Sequence, residues 1–275
     1  MTQTEIISTD TYYFDKAVRK NHSQCTRHYH NSFEIYYLKD GECSYFIDNR
    51  SYDVRVGDIV LIPEGVIHKT NYDPLKWHTR ILINCSSSFV PKSVLPIIPS
   101  MIYIYRNAEV AKEAEALLAK IAEEYERQDD FRDEALRCLT YELFFLLARN
   151  INERSDVAAG SKFIEETVGY IQKNYMNDIS LSQMAKIHSV SPEHLSRTFK
   201  KETGFGFSEY LTLVRLQKAE YMLKNEPGMT VCEIAYACGF NDSNYFSDKF
   251  KKNYGASPSK VKRKITHAGK RDRGL

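Results

Sequence analysis

The sequence predicts a two-domain α+β protein: an N-terminal antiparallel β domain with an appended helical segment, then an all-α C-terminal domain. Three observations carry this. Residues 27 to about 105 alternate apolar with polar residues in short runs, the apolar period turns helical at about Ala108, and the last hundred residues contain an internal repeat. The 275 residues are enough for two separate cores.

Each element has its own signal. "FEIYYLKDGECSYFIDNRSYDVRVGDIVLIPEG" is broken at "KDG", "DNR", "VGD" and "PEG", the residue types that end strands. Short strands at such close spacing predict a small antiparallel barrel or sandwich. "AEVAKEAEALLAKIAEEYERQ" and "RDEALRCLTYELFFLLARNI" then read as two helices joined by "DDF". The second is apolar on more than one face at "YELFFLLA", which leaves two outcomes open, docking on the β domain or a symmetric dimer interface. "NERSDVAAGS" has no apolar period and is the expected linker. The domains therefore run over residues 1–152 and 162–268, with the linker at 153–161. The arm at residues 1–26, the two helices and the linker are the candidate switching elements.

From Lys162 the pattern is helical and its starts are marked locally. Ser180 with Gln183, and Thr230 with Glu233, fit the capping box; Ser191 and Ser257 fit N-caps followed by Pro192 and Pro258. "LSRTFKKETG" (195–204) and "FSDKFKKNYG" (246–255) superpose at an offset of 51, and the preceding Met184-Ala185 and Ile234-Ala235 superpose at 50. One extra residue thus lies in the second turn. Each copy is a helix, a tight turn and a second helix stopped by Gly204 or Gly255, with Ala185 or Ala235 where the helices cross. "SEYLTLVRLQKAEYMLKN" forms one long helix that holds the copies apart.

This duplication has a geometric use. One recognition helix reads a few base pairs, whereas two about 34 Å apart enter successive major-groove turns on one face of DNA. The first helix offers Glu193, His194, Ser196 and Arg197; the second offers Ser243, Asn244, Tyr245, Ser247, Asp248 and Lys249. Arg suits guanine, Asn suits adenine, and Glu or Asp suits cytosine. Lys200, Lys201, Lys251 and Lys252 suit phosphates and would make binding salt-dependent. Charge points the same way: 19 Lys+Arg stand against 24 Asp+Glu before residue 160, and 19 against 12 from there on. A helical bundle with basic faces is the bland alternative.

The stretch "EIAYACGFNDSNYFSDKFKKNYGASPSKVKRK" (233–264), with "RLQKAEYML" from Arg215, resembles the signature of the AraC/XylS family of bacterial transcription regulators. The match lies in the first-helix alanine, Gly-Phe at the turn, Tyr-Phe in the second helix, Phe-Lys-Lys and Gly-x-Ser-Pro. It covers about the last hundred residues and implies two helix-turn-helix units on asymmetric promoter sites, often activating through contact with RNA polymerase. The family frequently has Arg where Asp248 stands, so base preference does not carry over.

Strand alternation puts His28, His30, Glu34 and Tyr36 on one face, either the interior of the β domain or its outside. H-x-H-x3-E-x6-G from His28 to Gly41 and G-x5-P-x-G-x2-H from Gly57 to His68 resemble the paired motifs of the cupin barrel, though Asn71 is one residue closer to His68 than the general pattern has it. That resemblance implies a cupin-like barrel in which His28, His30, Glu34 and His68 match metal ligands. Three uses compete: a pocket for a small effector such as a sugar, a divalent transition metal site, and a structural role. Arg80 joins the effector candidates, and Tyr45, Trp77 and His78 are further ones.

No Ser-His-Asp set or phosphate-binding glycine loop is visible, so the expected protein is not an enzyme and requires no cofactor. A metal-dependent cupin enzyme fused to a DNA-binding domain is the alternative, and a barrel that only dimerises is a third. No run approaches the roughly 18 apolar residues of a membrane helix, the start lacks a signal-peptide pattern, and the six cysteines read as reduced, mostly buried thiols. The expectation is a cytoplasmic homodimer, without membrane contact, that binds promoter DNA and a small effector and meets RNA polymerase.

Overall fold

The computed structural model describes residues 12–19, 32–48, 50–73, 75–100, 104–150 and 160–263. Its packing divides the chain into a unit ending at Ala159 and a unit beginning at Gly160.

In the first unit two antiparallel sheets face each other. β1 (Tyr12–Arg19), β7 (His78–Cys85), β2 (Phe33–Asp40), β5 (Ile59–Ile62) and β8 (Ile104–Tyr105) form the larger sheet in that order; β4 (Arg50–Val54), β3 (Cys43–Ile47) and β6 (His68–Tyr72) form the smaller. The reason lies in β2, whose residues Phe33 to Leu38 are all buried. Alternation sends Phe33, Ile35 and Tyr37 to one face and Tyr36 and Leu38 to the other. The first set packs with α1 (Ala108–Tyr125) and α2 (Arg132–Arg149), the second with Cys43, Tyr45 and Ile47 of the smaller sheet. The larger sheet is therefore a middle layer with a core on each side.

The helices supply matching stripes. Asn107 caps α1 by accepting from the backbone N–H groups of Glu109 and Val110, and Val110, Ala114, Leu117, Leu118 and Ile121 follow at helical spacing into the core. Leu136, Leu143, Phe144 and Leu147 of α2 enter the same core, with Leu139, Phe145 and Leu146 leaning on it. Docking on the sheet thus accounts for the several apolar faces of "YELFFLLA". Arg106 fixes the approach to α1: its Nε and Nη2 donate to the buried Asp58 carboxylate at 2.9 and 2.6 Å.

One expectation is corrected here. Strands were expected from residue 27, after an arm, but β1 pairs with β7 from Tyr12↔Cys85 to Arg19↔His78. Its partner lies some sixty residues away, beyond any local pattern. The cysteine expectation holds for Cys43, Cys85 and Cys238, whereas Cys138 and Cys232 are exposed; Cys25 lies outside the described residues.

The second unit contains α3 (Lys162–Asn174), α4 (Leu181–Ile187), α5 (Pro192–Thr203), α6 (Phe207–Asn225), α7 (Val231–Ala237) and α8 (Ser243–Tyr254), with a helical turn at 258–263. Ser180, Ser191 and Thr230 cap α4, α5 and α7, and Gly204 and Gly255 end α5 and α8 in the left-handed conformation. Thr230 and Glu233 complete a capping box, while Ser180 caps without a reciprocal bond from Gln183. Two caps escaped the sequence pattern: Asp242 starts α8, and the Glu209 carboxylate accepts a hydrogen bond from the Gly206 N–H at the start of α6.

Phe144 is fully buried at the sheet–helix core. Phe144→Ala is expected to cost about 3–5 kcal/mol, measured by chemical denaturation and followed by fluorescence of Trp77, the chain's one tryptophan.

Candidate functional site

Register decides what lies between the sheets. On the larger sheet Glu34 pairs with Asn84, Tyr36 with Leu82 and Leu38 with Arg80, while β1 sets Asp15 opposite Leu82. On the smaller sheet Ile47 pairs with His68, Tyr45 with Thr70 and Cys43 with Tyr72. Since Tyr36, Leu38, Cys43, Tyr45 and Ile47 share the inner core, the same alternation turns Asp15, Glu34, Arg80, Asn84, His68 and Tyr72 inward. The face that the sequence left undecided is the interior.

These polar groups meet one another. Tyr45 Oη donates to Glu34 Oε1 at 2.9 Å, and His68 Nε2 lies 3.6 Å from Glu34 Oε2. The other ring nitrogen of His68, Nδ1, is 2.8 Å from the Val66 carbonyl and must carry a proton to bond it. Tyr72 Oη donates to Tyr36 Oη at 3.2 Å, which lies 3.5 Å from Cys43 Sγ, and His78 stacks on Tyr72 with ring centroids 3.8 Å apart. Arg80 Nη2 donates to Asp15 Oδ2 at 2.9 Å.

Burial raises the Tyr36 and Tyr45 phenols well above their ordinary value and pushes the Cys43 thiol up to about 12. These groups are neutral at physiological pH. Burial works against the Arg80 charge, but Tyr72 and Asp15 beside it more than offset this and its pKa is raised. The guanidinium is a fixed cation, 9% exposed, yet its Nη1 is buried with no hydrogen-bond partner among the described residues. Asn84 Oδ1, on the same face of β7, is in the same position.

Of the effector candidates, Glu34, Tyr36, His68 and Arg80 come together in this interior, along with Tyr45 and His78. Trp77 does not; it is 57% exposed. His28 and His30 lie outside the described residues, and among the described residues no three ligating side chains form a metal cluster. Asp15, Tyr72 and Asn84 were missed. "HTRILINC" carried a signal for Asn84, since His78, Arg80, Leu82 and Asn84 alternate.

In the second unit the turns of the two copies are closed by the same bond. Val190 N–H donates to the Ala185 carbonyl at 3.0 Å and Phe240 N–H to the Ala235 carbonyl at 3.0 Å, closing the turns after α4 and α7. Ala185 and Ala235 are buried at the crossings. On α5, Leu195 and Phe199 face the core, which leaves Glu193, His194, Ser196, Arg197, Lys200 and Lys201 exposed. On α8, Phe246 and Phe250 do the same for Asn244, Tyr245, Asp248, Lys251 and Lys252, while Ser243, Ser247 and Lys249 are half-buried. Two of these side chains have internal contacts: the His194 ring stacks on Phe163 at 5.9 Å, and Lys249 Nζ sits 5.1 Å over the Tyr245 ring. Each copy therefore presents a short helix with a polar, cationic outer face, as groove entry requires.

Known proteins match both units. Residues 17–144 match the family described as the AraC-like ligand binding domain, and residues 184–264 match a helix-turn-helix domain family. The HTH-type transcriptional activator RhaS of Escherichia coli (strain SE11) is 23% identical over 244 residues, 86% of each chain. The C-terminal domain of AraT, a response regulator from Geobacillus stearothermophilus, is 35% identical and covers 39% of this chain and 88% of its own, with a TM-score of 0.37. ToxT from Vibrio cholerae is 17% identical and covers 92% of this chain and 97% of its own, with a TM-score of 0.38.

Proposed function

The chain belongs to the AraC/XylS family of DNA-binding transcription regulators, and from that premise we propose how its two units divide the work. The second unit binds promoter DNA through α5 and α8. The first takes a small polar effector between its sheets, of the hydroxyl-rich kind that sugars represent, and binds it without turning it over. The protein works in the cytoplasm as a homodimer and activates transcription through RNA polymerase; the name of RhaS as an activator supports that direction.

One observation carries the effector assignment. Among the described residues, Arg80 Nη1 is a buried donor without an acceptor, and Asn84 Oδ1 is a buried acceptor without a donor. Each such group costs about 1–3 kcal/mol until a partner arrives. Hydroxyl groups supply both partners, whereas a bare carboxylate supplies acceptors only. Charge balance agrees, because Arg80 is already paired with Asp15. The effector alters activity only by binding one arrangement of the protein more tightly than another.

A second reading concerns His68. With Nδ1 bonded to the Val66 carbonyl, its Nε2 lies 3.6 Å from the Glu34 carboxylate. Glu34 and His68 are half of the four-residue set that a divalent transition metal would use. The bound ion would fix the carboxylate and imidazole and present a Lewis-acidic centre to the effector.

Three experiments test these assignments. A panel of sugars and polyols is expected to raise the melting temperature of the intact protein, and Arg80→Met to abolish the shift produced by the active compound; no shift across sugars, polyols and carboxylates sinks the sensor. Lys251→Ala is expected to weaken binding evenly across DNA sequences and to reduce the slope of log affinity against log salt by about one; an unchanged slope removes Lys251 from the phosphate contacts. Metal analysis of protein purified without chelator should find a stoichiometric transition metal that His68→Ala removes if the second reading holds, and none if it does not.

A further inference from the structure

The turns of the two helix-turn-helix copies are closed by the same bond but differ in what surrounds them. Both turns place a residue in the left-handed region at the same position: Ser189 with φ 56° and Gly239 with φ 82°. Ser189 shows that this conformation does not by itself demand glycine here. The surroundings of Gly239 do. A methyl group on it would lie 2.8 Å from the Tyr175 carbonyl oxygen, 2.9 Å from that of Met176 and 3.0 Å from Arg215 Nε. The turn of the second copy is pressed against the end of α3, the first helix of the unit.

Arg215, on the long helix α6, occupies the same junction. Its Nε donates to the Tyr175 carbonyl at 2.8 Å and its Nη2 to the Asn177 carbonyl at 2.9 Å, and its guanidinium lies 6.0 Å from the centre of the Phe240 ring. One side chain thus joins the end of α3, the linking helix and the turn that launches α8. Carbonyls at a helix C-terminus carry partial negative charge, so a guanidinium is well suited to hold them. The contact is partly buried, and burial lowers the Arg215 pKa without neutralising it.

We propose that Arg215 and Gly239, with the carbonyls of Tyr175 to Asn177, form the joint that sets the distance and rotational phase between the two recognition helices. Arg215 is then a positioning residue for bipartite DNA reading: it touches no base, yet it decides which spacing of two subsites the protein accepts. The inference rests on the assignment of α5 and α8 to DNA. Its physical basis is that α6 meets α7 and α8 through Leu216, Ala219 and Leu223, while α3 packs against α5, so the bonds from Arg215 to the end of α3 and the close approach of Gly239 there add a second attachment between the two halves.

The test uses the intact protein and duplexes that the wild type enriches from a random pool. From these, a series is built in which base pairs are inserted or removed between the two subsites. Wild type is expected to show one sharp optimum, losing about tenfold in affinity for a single added base pair, a change that rotates one subsite relative to the other. Gly239→Ala and Arg215→Met are expected to weaken the optimal duplex by about tenfold and to flatten or move the profile. Arg215→Lys, which can keep one of the two carbonyl bonds, should fall between, and Ser189→Ala, at the equivalent turn without the joint, should leave the profile unchanged. Circular dichroism guards against loss of folding in Arg215→Met; should it unfold, the Gly239→Ala and Arg215→Lys profiles decide. Variants that weaken binding equally at every spacing, or that match wild type, overturn the joint alone. Wild-type protein with no sequence-selective, salt-dependent binding overturns the DNA assignment and the joint together.

Discussion

A strand buried on both faces has no solvent side, and β2 imposes that condition on the whole first unit. Phe33, Ile35 and Tyr37 must be covered by something, and α1 and α2 cover them. Glu34, Tyr36 and Leu38 must be covered too, and only the smaller sheet is available. The alternation that builds a hydrophobic core on one side therefore draws a carboxylate and a phenol into the other. Burying Glu34 is tolerable because Tyr45 donates to it and His68 stands beside it. The polar interior is a consequence of the layer arrangement.

How much of this was legible depends on the range of the interaction. The caps of α4, α5 and α7, the glycine stops and the duplicated turns are local, and the sequence displayed them at fixed offsets. Even spacing showed that Glu34 and Tyr36 share a face; which face it is depends on the helices and on the smaller sheet, and no local pattern contains that. The Asp15–Arg80 pair spans 65 positions. Nothing in "YYFDKAVR" announces a partner in "HTRILINC", so β1 was read as part of an arm and Asp15 went unnoticed. The apolar faces of α2 were visible, but their destination required the sheet. His28 and His30, which carried much of the metal motif, lie outside the described residues.

The same distinction applies within the second unit. Its repeat could be found because each copy is built from short-range bonds, and those bonds recur at an offset of 50, from Ala185–Val190 to Ala235–Phe240. What makes the copies different is long-range. The turn at Ser189 is exposed, while the turn at Gly239 meets Tyr175 and Met176 across the unit. A glycine that looks like part of a family signature thus has a spatial cause in this chain, the close approach of carbonyl oxygens to its α-carbon.

That contrast bears on why a duplicated reading head needs a joint at all. Two helices that each recognise a few base pairs add their binding free energies only if both can dock without distortion, since any rotation between them must be restored at the expense of affinity. A flexible connection would let each helix find its subsite but would lose selectivity for spacing. A rigid one converts spacing into specificity. In this chain α6 buries Tyr210, Leu211, Leu213, Val214, Leu216, Ala219 and Leu223, so it is held by both halves along most of its length. Arg215 lies among these positions and turns its charge toward the α3 carbonyls instead of solvent. The linking helix therefore acts as a structural member whose orientation is fixed at both ends, and α8 inherits that orientation through the packing of Phe246 and Phe250 with Leu216, Ala219 and Leu223 and through the turn at Gly239.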